Sequence, residues 1–341
     1  MKSSRAFYIR SRPGRAGILL ALAVLTALSA GASLCLGAVS LPLRDTLRAL
    51  LGGGEGTLAS QIVLYARLPR VCGSLLAGGA LAASGVVIQS VLMNPLAAPN
   101  IIGVNSGAGL ATALCCAAAP TALELVPIAA FLGALAGVLL VLLLAERTGA
   151  ARITVVLAGL AVSSIFGAGI DGVVTLVPDA LNGYTDFRIG GLRGLSMARV
   201  APAAVMIALA LAATLTLSHE LDLLALGRET AQSLGLPARR LQLILLALAA
   251  ALAGAAISFA GLLGFVGLIV PHIARRLVGE ESRFLLPASA LGGAALLTAC
   301  DVLARLLFAP YELPVGIVLS FVGGPFFIWL LLRQRGGRTH D

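Results

Sequence analysis

Ten apolar stretches follow one another along the chain, at 17–40, 71–91, 102–119, 126–145, 153–177, 200–217, 241–258, 261–278, 285–307 and 315–332, with short polar joints between most of them. A helix needs about 20 mostly apolar residues to cross roughly 30 Å of hydrocarbon, so each is close to one crossing. Within them apolar residues do not alternate with polar ones. They run apolar on every side and are rich in Leu, Ala and Gly, which excludes the period-two pattern of a membrane β-barrel. The pattern predicts an all-α integral membrane protein of about ten transmembrane helices, a single domain over 1–341. The abundant small residues suit close helix packing in lipid.

One internal segment departs from this pattern. HELDLLALGRETAQSLGLPARR, 219–240, joins the sixth and seventh stretches. Leu221, Leu224 and Leu226, then Ala231, Leu234 and Leu236, mark the apolar side of two short helical turns separated at Gly227, with Gly235-Leu236-Pro237 stopping the second. Docking onto another protein and resting in the lipid interface both fit such a helix, and the residues alone leave both open.

Composition sharpens the class: 59% of residues are hydrophobic, 11% are charged, and the mean hydropathy is +1.01. The net charge of +9 comes from 23 arginines and one lysine against 15 acids. No soluble basic face exists to hold nucleic acid, so the arginines are read for orientation. Lys2, Arg5, Arg10, Arg12 and Arg15 precede the first stretch and predict an uncleaved first span with its tail inside. Ten crossings return the C-terminus to the cytoplasm and leave most basic residues inside, including Arg147, Arg152, Arg228, Arg239, Arg240, Arg275, Arg276, Arg283 and Arg333. The exceptions, expected at the external face, are Arg44, Arg48, Arg67, Arg70, Arg188, Arg193, Arg199 and Arg305.

Catalytic and metal chemistry find little support. Cys35, Cys72, Cys115, Cys116 and Cys300 lie in or beside apolar runs without ligand spacing, and are expected to be buried small side chains. His219-Glu220 lacks a second histidine at the next helical turn, and His340 lies in a polar tail. Asn94-Pro95, Pro271-His272 and Pro314 are expected to break or end helices and to free carbonyls that nearby polar groups must satisfy. The stretches 79–103 and 254–279 resemble each other, which would place Asn94-Pro95 and Pro271-His272 in related positions; duplication and chance both account for it.

Several motifs carry a resemblance to a known family. RLPR at 67–70, SG at 84–85, Gln89, NPLA at 94–97, GFVGLIVPHIARRLVG at 264–279, Asp301 and ELPVGIVLSFVGGPFF at 312–327 together resemble the FecCD-type permeases of bacterial ABC importers. Glu229-Thr230-Ala231 followed by Gly235 looks like the loop by which such permeases contact their ATPase. The resemblance implies a BtuC-like ABC importer permease fold in the bacterial cytoplasmic (inner) membrane. It implies a homodimer, two ATP-binding cassette subunits, an external or periplasmic substrate-binding protein, and an iron chelate as cargo, a ferric siderophore first and haem next, with cobalamin as the alternative.

By the same resemblance, Arg67, Arg70 and Arg305 correspond to arginines that dock the binding protein. Leu224, Gly227, Glu229, Ala231, Leu234 and Gly235 fall in the ATPase coupling segment. The fifth span and the segments after it would line the channel, giving Ser163, Ser164, Gly167, Asp171, Arg188 and Arg193 as path residues. Asp171 reads equally as a channel group and as an interfacial or paired acid. A tryptophan common in the family after this span is replaced by Phe187-Arg188-Ile189-Gly190, which weakens any assignment of cargo. The chain has no phosphate-binding loop, so ATP and Mg are expected on a separate ATPase, with no cofactor and no metal on this chain. A secondary transporter is the competing class, suggested by the repeat with Asp171 and Asp301. An intramembrane hydrolase would need a positioned nucleophile and base, and no Ser-His pairing supplies them.

Overall fold

The computed structural model describes residues 12–37, 41–53, 56–147 and 152–335, the side chains of 12, 13, 152, 331 and 333–335 excepted. Lys2, Arg5, Arg10, Arg338 and His340 lie outside the described residues. In chain order the helices are α1 (Arg12–Cys35), α2 (Leu43–Leu50), α3 (Leu58–Gln61), α4 (Leu68–Leu92), α5 (Val104–Ala118), α6 (Val126–Arg147), α7 (Arg152–Leu176), α8 (Ala180–Ile189), α9 (Met197–Thr216), α10 (Ser218–Ala225), α11 (Arg228–Ser233), α12 (Ala238–Ala260), α13 (Val266–Val278), α14 (Ser282–Leu306) and α15 (Val315–Arg335). A π-helical turn, Ile62–Arg67, joins α3 to α4, and there is no strand among the described residues.

All ten expected crossings fall on helices: α1, α4, α5, α6, α7, α9, α12, α13, α14 and α15. Seven helical stretches among the described residues are long and apolar enough to cross a membrane; Val104–Ala118 and the apolar part of α15, Val315–Leu330, are shorter. The thirteen-residue α13 is a half-length helix. It begins inside the bundle because residues 261–265 unwind: Gly261 takes φ +72° and Phe265 takes φ +67°.

The largest departure concerns where α4 begins. The helical stretch runs without interruption over Leu58–Leu92, well upstream of the expected 71. Thr57 starts it, its Oγ1 accepting the Ser60 N–H at 3.3 Å, a standard N-cap. Arg67 and Arg70, expected ahead of a span, therefore lie within a helix.

α4 is the axis of the bundle, packed by α14, α12, α13, α9 and α10. It is largely buried and has no polar face to offer water. Its backbone touches two neighbours directly. A Cβ at Gly78 would sit 2.2 Å from the carbonyl oxygen of Gly293 on α14, and one at Gly85 would sit 2.0 Å from that of Gly267 on α13. Only glycine permits such contact, the small-residue packing expected in lipid. Hydroxyls add cross-helix bonds: Ser74 pairs with Thr298 at 2.8 Å, and Ser84 donates to the Ala249 carbonyl at 2.7 Å.

Pro271 shows how a break expected from sequence is absorbed. It sits inside α13 without ending it. Proline lacks the N–H that would bond the carbonyl four residues back, Gly267, and a bare carbonyl is costly away from water. Gln89 of α4 fills the gap, its Nε2 donating to that carbonyl at 3.0 Å, while its Oε1 accepts from Arg275. Asn94-Pro95 behaves differently. It follows the end of α4, where Met93 takes φ +47° and the Asn94 N–H bonds back to the Gln89 carbonyl. One proline lies within a helix and the other beyond one, so the two stretches read as a repeat do not share local geometry.

Candidate functional site

The bundle has two ends and one open flank. At the first end α1 finishes, α4 begins and α14 finishes; at the other lie α10, α11 and the start of α14.

At the first end a cluster of charges is folded inward. Asp301, fully buried on α14, receives Arg70 Nε at 2.9 and 3.1 Å on its two oxygens, and Arg305 Nε lies 3.2 Å from its Oδ2. Arg70 Nη1 also donates to Glu312 at 2.7 Å. Arg305 reaches the last turn of α1, its Nη1 donating to the Leu36 carbonyl at 2.9 Å and its Nη2 to Ser33 Oγ at 2.5 Å. Arg67 donates to the Leu34 and Cys35 carbonyls at 2.5 and 2.7 Å. The last carbonyls of a helix lack partners within it and carry partial negative charge. Two guanidiniums satisfy them here, pinning α1 to α4 and α14.

Arg67, Arg70 and Arg305, expected at the external face, gather at this one end with their side chains folded inward, 5, 9 and 3% exposed. The physical reason is the early start of the helix, which turns both arginines of RLPR toward α1 and α14. Arg70 alone keeps an outward aspect. It floors a cavity of about 570 Å³ with Tyr65, Arg193, Tyr311 and Glu312, and an adjoining one of about 410 Å³ with Asp186, Arg193 and Glu312. Arg193 is exposed at the rim of both and has no ion pair among the described residues. Sequence reasoning missed Glu312, Tyr65 and Tyr311. Glu312 opens the ELPVG motif, and an acid two residues before Pro314 was the available signal.

At the opposite end α10 and α11 form an elbow. Gly227 turns between them at φ +122°, and after α11 Gly235 takes φ +85° while the Leu236 N–H bonds back to the Ala231 carbonyl at 3.0 Å and the Gly235 N–H to that of Gln232 at 2.9 Å. This paired closure is the common glycine-terminated helix end. The two turns separated at Gly227 and stopped after Leu234 are thus as the pattern predicts. Leu224 and Ala231 are buried against the bundle, whereas Glu229 and Leu234 are exposed. Beside the elbow lies a groove of about 550 Å³ whose walls include Met93 after α4, Ile153 at the start of α7, and Glu229. Asp222 of α10 accepts the Ser282 N–H at 2.9 Å, and Arg239 pairs with Glu146 at 3.1 Å, joining the elbow region to α14 and α6.

The open flank belongs to α7, which packs on α5 and α6 and leaves its other side bare. Ser164, Ala168, Asp171 and Thr175 recur there at helical spacing and are exposed, and Gly167 has open space where a side chain would stand. Ser163, expected as a path residue beside Ser164, does not share this side, and neither does Gly169. Ser163 Oγ lies 3.1 Å from Ser106 Oγ on α5, and a Cβ at Gly169 would meet Leu110 at 3.0 Å. Adjacent helix positions differ by about 100°, so Ser163 and Ser164 point to different neighbours. Arg188, at the end of α8, is exposed. Among the described residues no group of His, Cys, Asp or Glu could hold a metal ion.

Comparison with known proteins shows the family and the fold. A sequence model described as the FecCD transport family matches residues 22–333. The hemin transport system permease protein HmuU of Yersinia pestis is 38% identical over 330 residues, 95% of this chain and 96% of its own length. The Fe(3+) dicitrate transport system permease protein FecD of Escherichia coli is 36% identical over 304 residues, 89% of this chain and 94% of its own. A solved structure described as an inward-facing conformation of a metal-chelate type ABC transporter superposes with a TM-score of 0.83 at 28% identity, over 93% of this chain and 99% of that one.

Proposed function

Because the chain belongs to the FecCD transport family, we propose that it is the membrane permease of an ATP-driven importer that carries an iron chelate, haem or a ferric siderophore, across the bacterial cytoplasmic membrane. Relatives that carry hemin and ferric citrate support that cargo class. Haem is the favoured first trial, since the hemin permease matches over nearly the full length of both chains. Family membership sets aside ion-coupled secondary transport as the working class. The single observation that carries the mechanism is the elbow of α10 and α11: two short helices locked by Gly227 and Gly235, anchored through Leu224 and Ala231, and presenting Glu229 and Leu234 outward.

In this reading the elbow end faces the cytoplasm, both termini with it, and two ATPase subunits bind there and hold ATP and Mg. Closure of the ATPases pushes the elbow against the ends of α4 and α7, whose residues Met93 and Ile153 share its groove. A packed bundle transmits such a push as a shift between discrete arrangements rather than a smooth deformation. Two copies pair across the open flank of α7, so that Ser164, Gly167 and Asp171 border a shared path on the symmetry axis. An external binding protein docks over the cavities of the first end. Arg193 at the rim and Arg70 at the floor offer charge-assisted bonds to its carboxylates, while Arg67 and Arg305 act through the end of α1.

The test is Glu229→Arg in the transporter reconstituted with its ATPase and binding protein. Hemin uptake should fall at least tenfold while the dimer and its bound ATPase pair remain intact in detergent. Uptake and stimulated ATP hydrolysis both at wild-type levels would remove the coupling role.

A further inference from the structure

Arg44 and Arg48, two of the arginines expected against the positive-inside bias, take no part in the charge cluster of the first end. Both are carried by α2, whose eight residues read LRDTLRAL. Thr46 and Ala49 are buried against the protein, which fixes the inner side of this helix. On the remaining surface Leu43, Leu47 and Leu50 recur at helical spacing and continue into Leu51; Leu43 is 61% exposed and Leu51 is 86% exposed. Arg44 and Arg48, one turn apart, are exposed beside them, and neither forms an ion pair with a described residue. A row of bare leucines flanked by arginines is the pattern of a helix lying in a lipid interface, its leucines in the acyl boundary and its cations among headgroups.

Two observations commit the occupant. α2 packs against α1 and the π-helical turn before α4, and α1 itself carries exposed leucines, among them Leu25 and Leu28. The two exposed arginines of α2, without an ion pair among the described residues, outnumber the one half-buried acid of the helix, Asp45, and complement phosphate-bearing anionic headgroups. We infer that α2 is an interfacial helix that binds anionic phospholipid through Arg44 and Arg48. The inference rests on the chain being a membrane-embedded bundle and holds whatever its cargo.

The test places a reporter on the leucine face. The sole tryptophan is replaced (Trp329→Phe) and Leu47→Trp introduced in the full chain, reconstituted in nanodiscs with brominated phosphatidylglycerol or brominated phosphatidylcholine as a minor component. Quenching should favour the brominated phosphatidylglycerol. Each of Arg44→Gln and Arg48→Gln should reduce that preference about fivefold, from roughly 1 kcal/mol per basic residue near an anionic surface. Arg44→Lys with Arg48→Lys should keep it. Equal quenching by the two lipids would overturn headgroup binding. Quenching by aqueous iodide alone, abolished on adding the binding protein, would overturn the lipid assignment and make α2 a protein docking surface.

Discussion

Asp301→Asn tests whether the charge cluster of the first end holds the bundle together. The substitution keeps the shape and one acceptor oxygen but removes the anion between Arg70 Nε at 2.9 Å and Arg305 Nε at 3.2 Å. It also turns an amide donor toward one of two guanidiniums that are themselves donors only. Breaking a buried ion pair by losing one partner costs about 3–5 kcal/mol, since the remaining charge stays buried. Glu312 still pairs Arg70, and the α1 carbonyls still hold Arg305, so the lower half of that range, about 3 kcal/mol, is expected. The assay is reversible unfolding in mixed micelles with rising sodium dodecyl sulfate. Arg305→Gln should also destabilise, and the double variant should be less destabilised than the sum of the single ones, with a coupling of about 1.5 kcal/mol or more, as residues of one network behave. A loss below about 0.5 kcal/mol for Asp301→Asn, or additive effects, would refute the cluster as a structural clasp.

Further expectations rest on single contacts. Gly323→Ala would bring a Cβ to 2.2 Å from Cγ of Phe265, whereas Gly324→Ala meets nothing within 4 Å. The first should cost about 1–3 kcal/mol by overpacking, and the second should be near neutral; equal thermal stability of the two in detergent would contradict the packing of α15 on Phe265. Gln89→Leu strips the donor from the Gly267 carbonyl and the acceptor from Arg275, and should cost about 1–3 kcal/mol for the buried groups left unpaired. A Gln89→Leu variant as stable as wild type would mean that the carbonyl freed by Pro271 is satisfied elsewhere. A cysteine in place of Ser164 should cross-link two copies more readily than one in place of Ser163, which faces Ser106 within its own chain. Equal cross-linking would argue against pairing across the open flank of α7.

The helices were legible because apolar runs of crossing length have no other stable form in lipid. The elbow was legible for a local reason. Gly227 and Gly235 mark turns that only their own neighbourhood dictates, and both appear where the pattern predicts them. The half-length α13 was not legible as such, since residues 261–271 are apolar throughout and nothing in them marks the unwinding at Phe265, whose ring lies against Gly323 of α15. The direction of Arg67 and Arg70 was also hidden. It comes from a helix start at Thr57, ahead of the strongest apolar run, and from acids on α14 and before α15 that lie more than two hundred residues away.

By itself, then, the sequence determined an all-helical, multi-pass membrane bundle, its elbow, and its kinship, because length, hydropathy and turn residues act over a few neighbours. Only the tertiary structure decided which arginines face out. Arg67, Arg70 and Arg305 are drawn inward because Asp301 and the bare carbonyls of α1 meet them there, while Arg44, Arg48 and Arg193 find no such partner among the described residues and remain at the surface. A buried charge needs a partner in three dimensions, and spacing along the chain cannot supply one.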